Sequence, residues 1–116
     1  MATKDALGKL GERIASHHLK TLGFQILAHN WRATAGEVDV VAVEGDCLVM
    51  CEVKTRRSLS HGHPSEAVNA VRVSHLSAAV EQWLAGDSQI HRGRVDVVSI
   101  VVGPPLAIEH MRNVAA

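Results

Sequence analysis

The chain has no tyrosine, one phenylalanine (Phe24) and two tryptophans (Trp31 and Trp83), so its core has to be built from Val, Leu, Ile and Ala. It has two cysteines, Cys47 and Cys51, too few for a disulfide framework and not spaced as a Cys-x-x-Cys zinc or redox pair. On one strand they would stand roughly 13 Å apart, beyond disulfide reach. No apolar run approaches membrane-spanning length, and the opening MATKDALGKLGER lacks the uninterrupted apolar core of a signal peptide. The expected setting is reducing and cytoplasmic, with no membrane. Charge of one sign is missing as well. Twelve Lys and Arg balance twelve Asp and Glu, which argues against a strong non-specific nucleic-acid binder.

What is present suits one small α/β domain of 116 residues, 47% of them apolar and 21% charged. Leu7, Leu10, Ile14, Ala15, Leu19 and Leu22 recur at helical spacing, and Gly23 follows as a helix stop. Gly11 projects towards this stripe, as close packing against a sheet would require, and Glu12 lies at its margin. Residues 24–29, 38–43 and 48–53 read as strands. Residues 55–65 (TRRSLSHGHPS) read as a loop, and a second helix is expected from Ala67 and Val68 to about Leu84, with Asn69 capping a break inside it. Residues 94–102 form an apolar strand covered on both faces, and residues 106–110 a short last one. The order αβββαβ(β) implies a central mixed sheet flanked by helices.

The stretch GEVDVVAVEGDCLVMCEVKTRR, residues 36–57, places charges at the open end of an apolar hairpin. A two-residue Gly45-Asp46 loop pairs Glu44 with Cys47 and sets Asp39 opposite Glu52 and Glu37 opposite Lys54. Val41, Met50, Val43 and Leu48 share that face, while Val38, Val40, Ala42, Val49, Cys51 and Val53 take the other. Opposed carboxylates about 5 Å apart repel, and a divalent cation with hard oxygen ligands relieves the repulsion. Lys54 on the same face would then meet negative charge on a phosphate. A three-residue loop would instead move Glu52 to the opposite face. The competing account of these charges is a salt-bridged sheet end. Arg32 is read as solvated, Asp96 as paired with a nearby arginine, and the loop pair His61 and His63 as exposed.

The Asp-x(12)-Glu-x-Lys spacing behind a glutamate-bearing helix resembles the PD-(D/E)xK nuclease superfamily, in the manner of archaeal Holliday-junction resolvases. More closely, GERIASHHLKTLGFQILAHNWR, GEVDVVAVEGDCLVMCEVKTRRS, PSEAVNAVRVSHL, RVDVV and IEHMRN together resemble the YraN-like family of small bacterial proteins. The resemblance implies a restriction-endonuclease-like core with Glu12, Asp39, Glu52 and Lys54 as the active-site set. Asp39 and Glu52 would hold Mg²⁺ or Mn²⁺, with Glu12 acting directly or through water and the Val53 carbonyl as a further ligand. Arg56, Arg57 and Arg72 are the candidate contacts to nucleic acid, DNA above all, although Arg72, like Arg32, reads by itself as solvated, and Glu37 would support the set. A homodimer is a further expectation of the resemblance. Val38 replaces the superfamily's proline, and Arg72 stands where these relatives often have lysine. The implied activity is metal-dependent hydrolysis of DNA phosphodiesters, with branched DNA among the expected substrates. The alternative is a non-catalytic module that binds nucleic acid or a protein.

Overall fold

The computed structural model describes residues 2–58 and 69–115. It runs α1 (Ala2–Thr21), β1 (Gln25–Ala33), β2 (Gly36–Glu44), β3 (Cys47–Arg56), α2 (Ala70–Ala85), β4 (Arg92–Val101) and β5 (Ala107–Met111). The expected order is present, with its optional last strand. The strands form one mixed sheet in the order β1-β2-β3-β4-β5. Only β3 and β4 run parallel, and the chain returns between them through α2, as parallel neighbours require.

Alternate residues of the central strands feed two apolar layers. Val40, Ala42, Val49, Cys51, Val98 and Ile100 pack under Ala15 and Leu19 of α1. Val41, Leu48, Met50 and Val95 pack under Leu76, Ala79 and Val80 of α2. The sheet is therefore buried on both sides, which explains the near-continuous valine runs. Cys47 and Cys51 are buried free thiols. Burial, aided by the Asp96 and Asp39 charges, pushes the Cys51 thiol well above its ordinary range, so it stays protonated.

Two glycines fix α1. Gly23, at φ 95°, ends the helix: the Gly23 amide bonds the Lys20 carbonyl, and the Phe24 amide reaches back to Leu19 at 3.0 Å. At Gly11 a Cβ would collide with Thr55 Oγ1, so this glycine is where α1 crosses β3. Close packing was the expected reason for it.

Some expectations need correction. β1 continues to Ala33 because a bulge between Ile26 and Ala28 and a positive φ of 50° at Asn30 break its alternation without ending the strand. β3 runs on to Arg56, where the loop was expected to have begun, because it keeps pairing with β4 as far as Arg56 opposite Val101. Asn69 caps the start of α2 instead of a break within a longer helix. Ala67, Val68, His61 and His63 lie outside the described residues. Trp31 and Trp83 meet edge to face, ring centroids 5.0 Å apart, and join the layer under α2.

Candidate functional site

The β2–β3 hairpin begins in the expected register. Gly45 has φ 61°, the conformation that glycine supplies at the first position of a two-residue loop, and the pairs run from Glu44 with Cys47 to Val40 with Cys51. There the ladder ends. β2 stays with β1, pairing Trp31 with Val38 and Arg32 with Glu37, while β3 stays with β4. Continued pairing would direct the Val53 amide at Val38. It donates instead to Asp39 Oδ2, at 2.8 Å. The strands thus fork around the Asp39 side chain. The alternation is broken at the same place: Val38, expected with Val40 and Ala42, lies in the layer under α2.

Glu52 is buried, and its carboxyl lies within hydrogen-bonding reach of the half-buried Asp39. Burial pushes the Asp39 pKa up to about 7, against the opposing pull of the Val53 amide, and the Glu52 and Glu12 charges add to the rise. Burial acts on Glu52 in the same direction. There the Arg72 hydrogen bonds and the Arg72 and Lys54 charges outweigh it and hold Glu52 below its ordinary value. Near neutrality the pair therefore shares its protons unequally, with Asp39 the acid that retains one.

Arg72 owes its place to a helix cap. Asn69 Oδ1 accepts the Arg72 amide at 2.8 Å and so fixes the first turn of α2 above the fork. The guanidinium then grips Glu52 with two bonds, Nε to Oε2 at 3.0 Å and Nη2 to Oε1 at 2.8 Å, and Nη2 also donates to the Glu37 carbonyl. The structure thus places this expected substrate contact on the acid pair. Lys54 Nζ is 3.4 Å from Glu52 Oε2. Lys54 meets Glu52 where the continued register would have set it opposite Glu37, because the ladder has ended before that pair. Glu37 itself is exposed and contributes its carbonyl to Arg72.

Glu12 reaches the neighbourhood from α1, one residue beyond the Gly11 crossing. The Asn30 amide nitrogen lies 3.3 Å and 3.4 Å from its two oxygens. Asn30 was not foreseen, although Asn is among the few residues that tolerate its left-handed backbone. Arg56 closes β3 and Arg57 is exposed just beyond it, and the Val102 and Gly103 amides bond their carbonyls.

Among the described residues, no three His, Cys, Asp or Glu side chains already stand close enough together to hold a metal ion. Asp39 and Glu52 nevertheless suit the Mg²⁺ or Mn²⁺ that the resemblance implies. They offer hard carboxylate oxygens at one point, one of them held against ionisation by burial and by the neighbouring Glu52 and Glu12 charges, which a cation would offset. The Val53 carbonyl leaves the same edge of β3 as its amide, into the fork. Arg72 would have to release an oxygen of Glu52.

A second polar cluster lies across the sheet. Asp96 is fully buried and accepts from Arg94 Nε at 2.8 Å and the Asn113 amide at 3.0 Å, and His110 Nε2 lies 2.9 Å from it. His110 in turn lies 3.1 Å from His18 of α1. Burial alone would raise the Asp96 pKa, but these partners hold it at about 2. The expected arginine pairing is present, and His110, singled out in IEHMRN, acquires a role in tying β5 to β4 and α1.

A family model described as "Uncharacterised protein family UPF0102" matches residues 11–100. A UPF0102 protein of Kineococcus radiotolerans is 44% identical, over 97% of this chain and 95% of its own. One from Paenarthrobacter aurescens is 45% identical over 98% and 97%, and one from Rhodococcus jostii 45% over 97% and 98%. With a family model spanning most of its length and relatives aligned nearly end to end, the chain belongs to the UPF0102 family.

Proposed function

We propose that this protein is a cytoplasmic, metal-dependent nuclease that hydrolyses DNA phosphodiesters. The observation that carries the reading is the β2–β3 fork, where Asp39 and Glu52 meet and Lys54 stands 3.4 Å from Glu52. Asp39 and Glu52 would hold the cation, with the Val53 carbonyl beside them and Glu12 in reserve behind Asp39. Bound there, a divalent cation supplies charge to a phosphate oxygen and acidifies water. Glu52 orients the Lys54 ammonium towards the same space, where it meets the charge that develops on the phosphate. Arg57, exposed past the end of β3, adds a contact for the polynucleotide backbone.

The test incubates purified protein with Mg²⁺ or Mn²⁺ and a panel of linear, flapped and four-way DNA. Cleavage is expected only with metal, and not in Asp39→Ala or Glu52→Ala. Cleavage absent throughout, or indifferent to Asp39, removes the enzyme claim.

One observation favours a second reading, a non-catalytic binding module. The Arg72 guanidinium already neutralises Glu52 and occupies both its oxygens. In that case DNA binding survives both substitutions and needs no metal.

A further inference from the structure

Sheet register connects the fork to a cavity. Lys54 pairs with Ser99, and Ser99 with Glu109, so a single row on the α2 side of the sheet leads from Lys54 across β4 to the β5 edge. The apolar layer under α2 includes Val95 of β4. Farther along β4, Ser99 and Val101 line a cavity of about 470 Å³ together with Ala107 and Glu109 of β5, Pro104, Pro105 and Arg57. Ser99 is 2% exposed, and its hydroxyl has no hydrogen-bond partner. An unpaired buried hydroxyl costs about 1–3 kcal/mol, which a bound group that pairs with it would recover.

We propose that this cavity receives one unpaired nucleobase of the polynucleotide whose backbone lies over Lys54 and Glu52. The inference rests on the nuclease reading and narrows its substrate to nucleic acid with an unpaired position next to the scissile phosphate. The volume falls at the lower end of the range for small-ligand pockets, about 300–1,000 Å³, and suits a base with its sugar. Val101, Ala107 and the two proline rings offer apolar surface to the faces of a heterocycle. The Ser99 hydroxyl, both donor and acceptor, can pair with a base edge. Neighbouring strands lie about 4.8 Å apart, so a base above Ser99 belongs to a nucleotide next to the phosphate at Lys54. A paired base would first have to be extruded, at a cost of a few kcal/mol, whereas an unpaired one is already free to enter.

The experiment measures binding in EDTA, independently of metal and cleavage. The probe is a short deoxyoligonucleotide with one 2-aminopurine, presented single-stranded, as a bulge, or fully paired. The single-stranded and bulged forms should bind at least about tenfold more tightly than the paired duplex, with a change in 2-aminopurine fluorescence. Ala107→Trp, which fills the cavity from an exposed edge position, should abolish that preference while circular dichroism and Tm stay unchanged. Ser99→Ala should weaken binding several-fold and raise Tm, because it deletes the unpaired hydroxyl. Equal affinity for paired DNA, an unaffected Ala107→Trp variant, or equal affinity for a free deoxynucleoside monophosphate would overturn the proposal. If this binding holds but the DNA panel shows no cleavage, the hydrolase reading fails and the cavity assignment stands. Metal-dependent cleavage that ignores Ala107→Trp has the reverse meaning.

Discussion

Arg72 holds both carboxylate oxygens of Glu52, and it does so from the first turn of a helix capped by Asn69. The guanidinium therefore occupies the position where a cation bound to Glu52 would supply charge. Removing one partner of a buried ion pair leaves the other charged and unpaired, at a cost of about 3–5 kcal/mol. Because Arg72 is partly exposed, Arg72→Ala should cost somewhat less, on the order of 2 kcal/mol without metal. Mn²⁺ should restore most of that loss and bind more tightly than to the parent protein. Thermal melts and calorimetry with and without Mn²⁺ decide it. A variant that is destabilised equally with and without Mn²⁺ would show that Arg72 and a metal do not compete for Glu52.

Asp39 gives the metal-free protein a pH dependence of definite sign. In the unfolded chain its carboxyl ionises above its ordinary value of 3.8, whereas in the fold it holds its proton up to about 7. The unfolded state therefore binds fewer protons between those values, and stability falls as pH rises from about 4 to about 7. Asp39→Asn cannot ionise, yet it can still accept the Val53 amide and can donate to Glu52. It should remove the decline and be more stable than the parent at pH 8, by on the order of 4 kcal/mol, the worth of a shift from 3.8 to about 7. Urea unfolding of both proteins at pH 5 and pH 8 measures this. Parallel pH profiles would show that Asp39 is not held protonated.

The helices, the strands and the hairpin register were legible because they rest on local rules, namely apolar spacing, Gly23 as a helix stop and Gly45 in a two-residue loop. The same rules extended the β2–β3 ladder too far. Pair counting has no way to show that the Val53 amide leaves Val38 for the Asp39 carboxylate, because a side chain competes there with the backbone. Arg72 was identified as chemically relevant, but its partner lies twenty positions away in sequence and depends on where α2 starts. Asn30 left no apolar pattern to read, and only its tolerance of positive φ hinted at a special position.

Asp96 sets an acid limit on stability unrelated to the fork. Its folded pKa of about 2 lies below the ordinary value of 3.8, so its contribution is complete above about pH 4 and is lost as pH falls through 2. The shift corresponds to roughly 2 kcal/mol. Asp96→Asn should lower Tm through the loss of the Arg94 and His110 pairing and should flatten the acid limb, with Mn²⁺ binding unchanged. Acid titrations followed by circular dichroism, set beside calorimetry, test both halves. A change in metal affinity would show that the two polar clusters are coupled.

Gly8 and Gly11 stand on one helix and should respond oppositely to the same substitution. Nothing lies within 4 Å of a Cβ built on Gly8, whereas one built on Gly11 strikes the Thr55 side chain. Alanine improves helix propensity by about 1 kcal/mol at either place, so Gly8→Ala should stabilise the protein by up to that amount. At Gly11 the overpacking cost of about 1–3 kcal/mol exceeds the gain, and Gly11→Ala should destabilise. Thr55→Ala removes Oγ1 and Cγ2 but leaves the Thr55 Cβ 2.7 Å from the added methyl, so combined with Gly11→Ala it should relieve part of that cost, and the double variant should be more stable than the sum of the single effects. Chemical denaturation of the four proteins gives the cycle. Because Glu12 follows Gly11 directly, a displaced α1 should also carry that carboxylate away from Asp39. Additive behaviour of Gly11→Ala and Thr55→Ala would mean that this crossing does not set the position of α1 over β3.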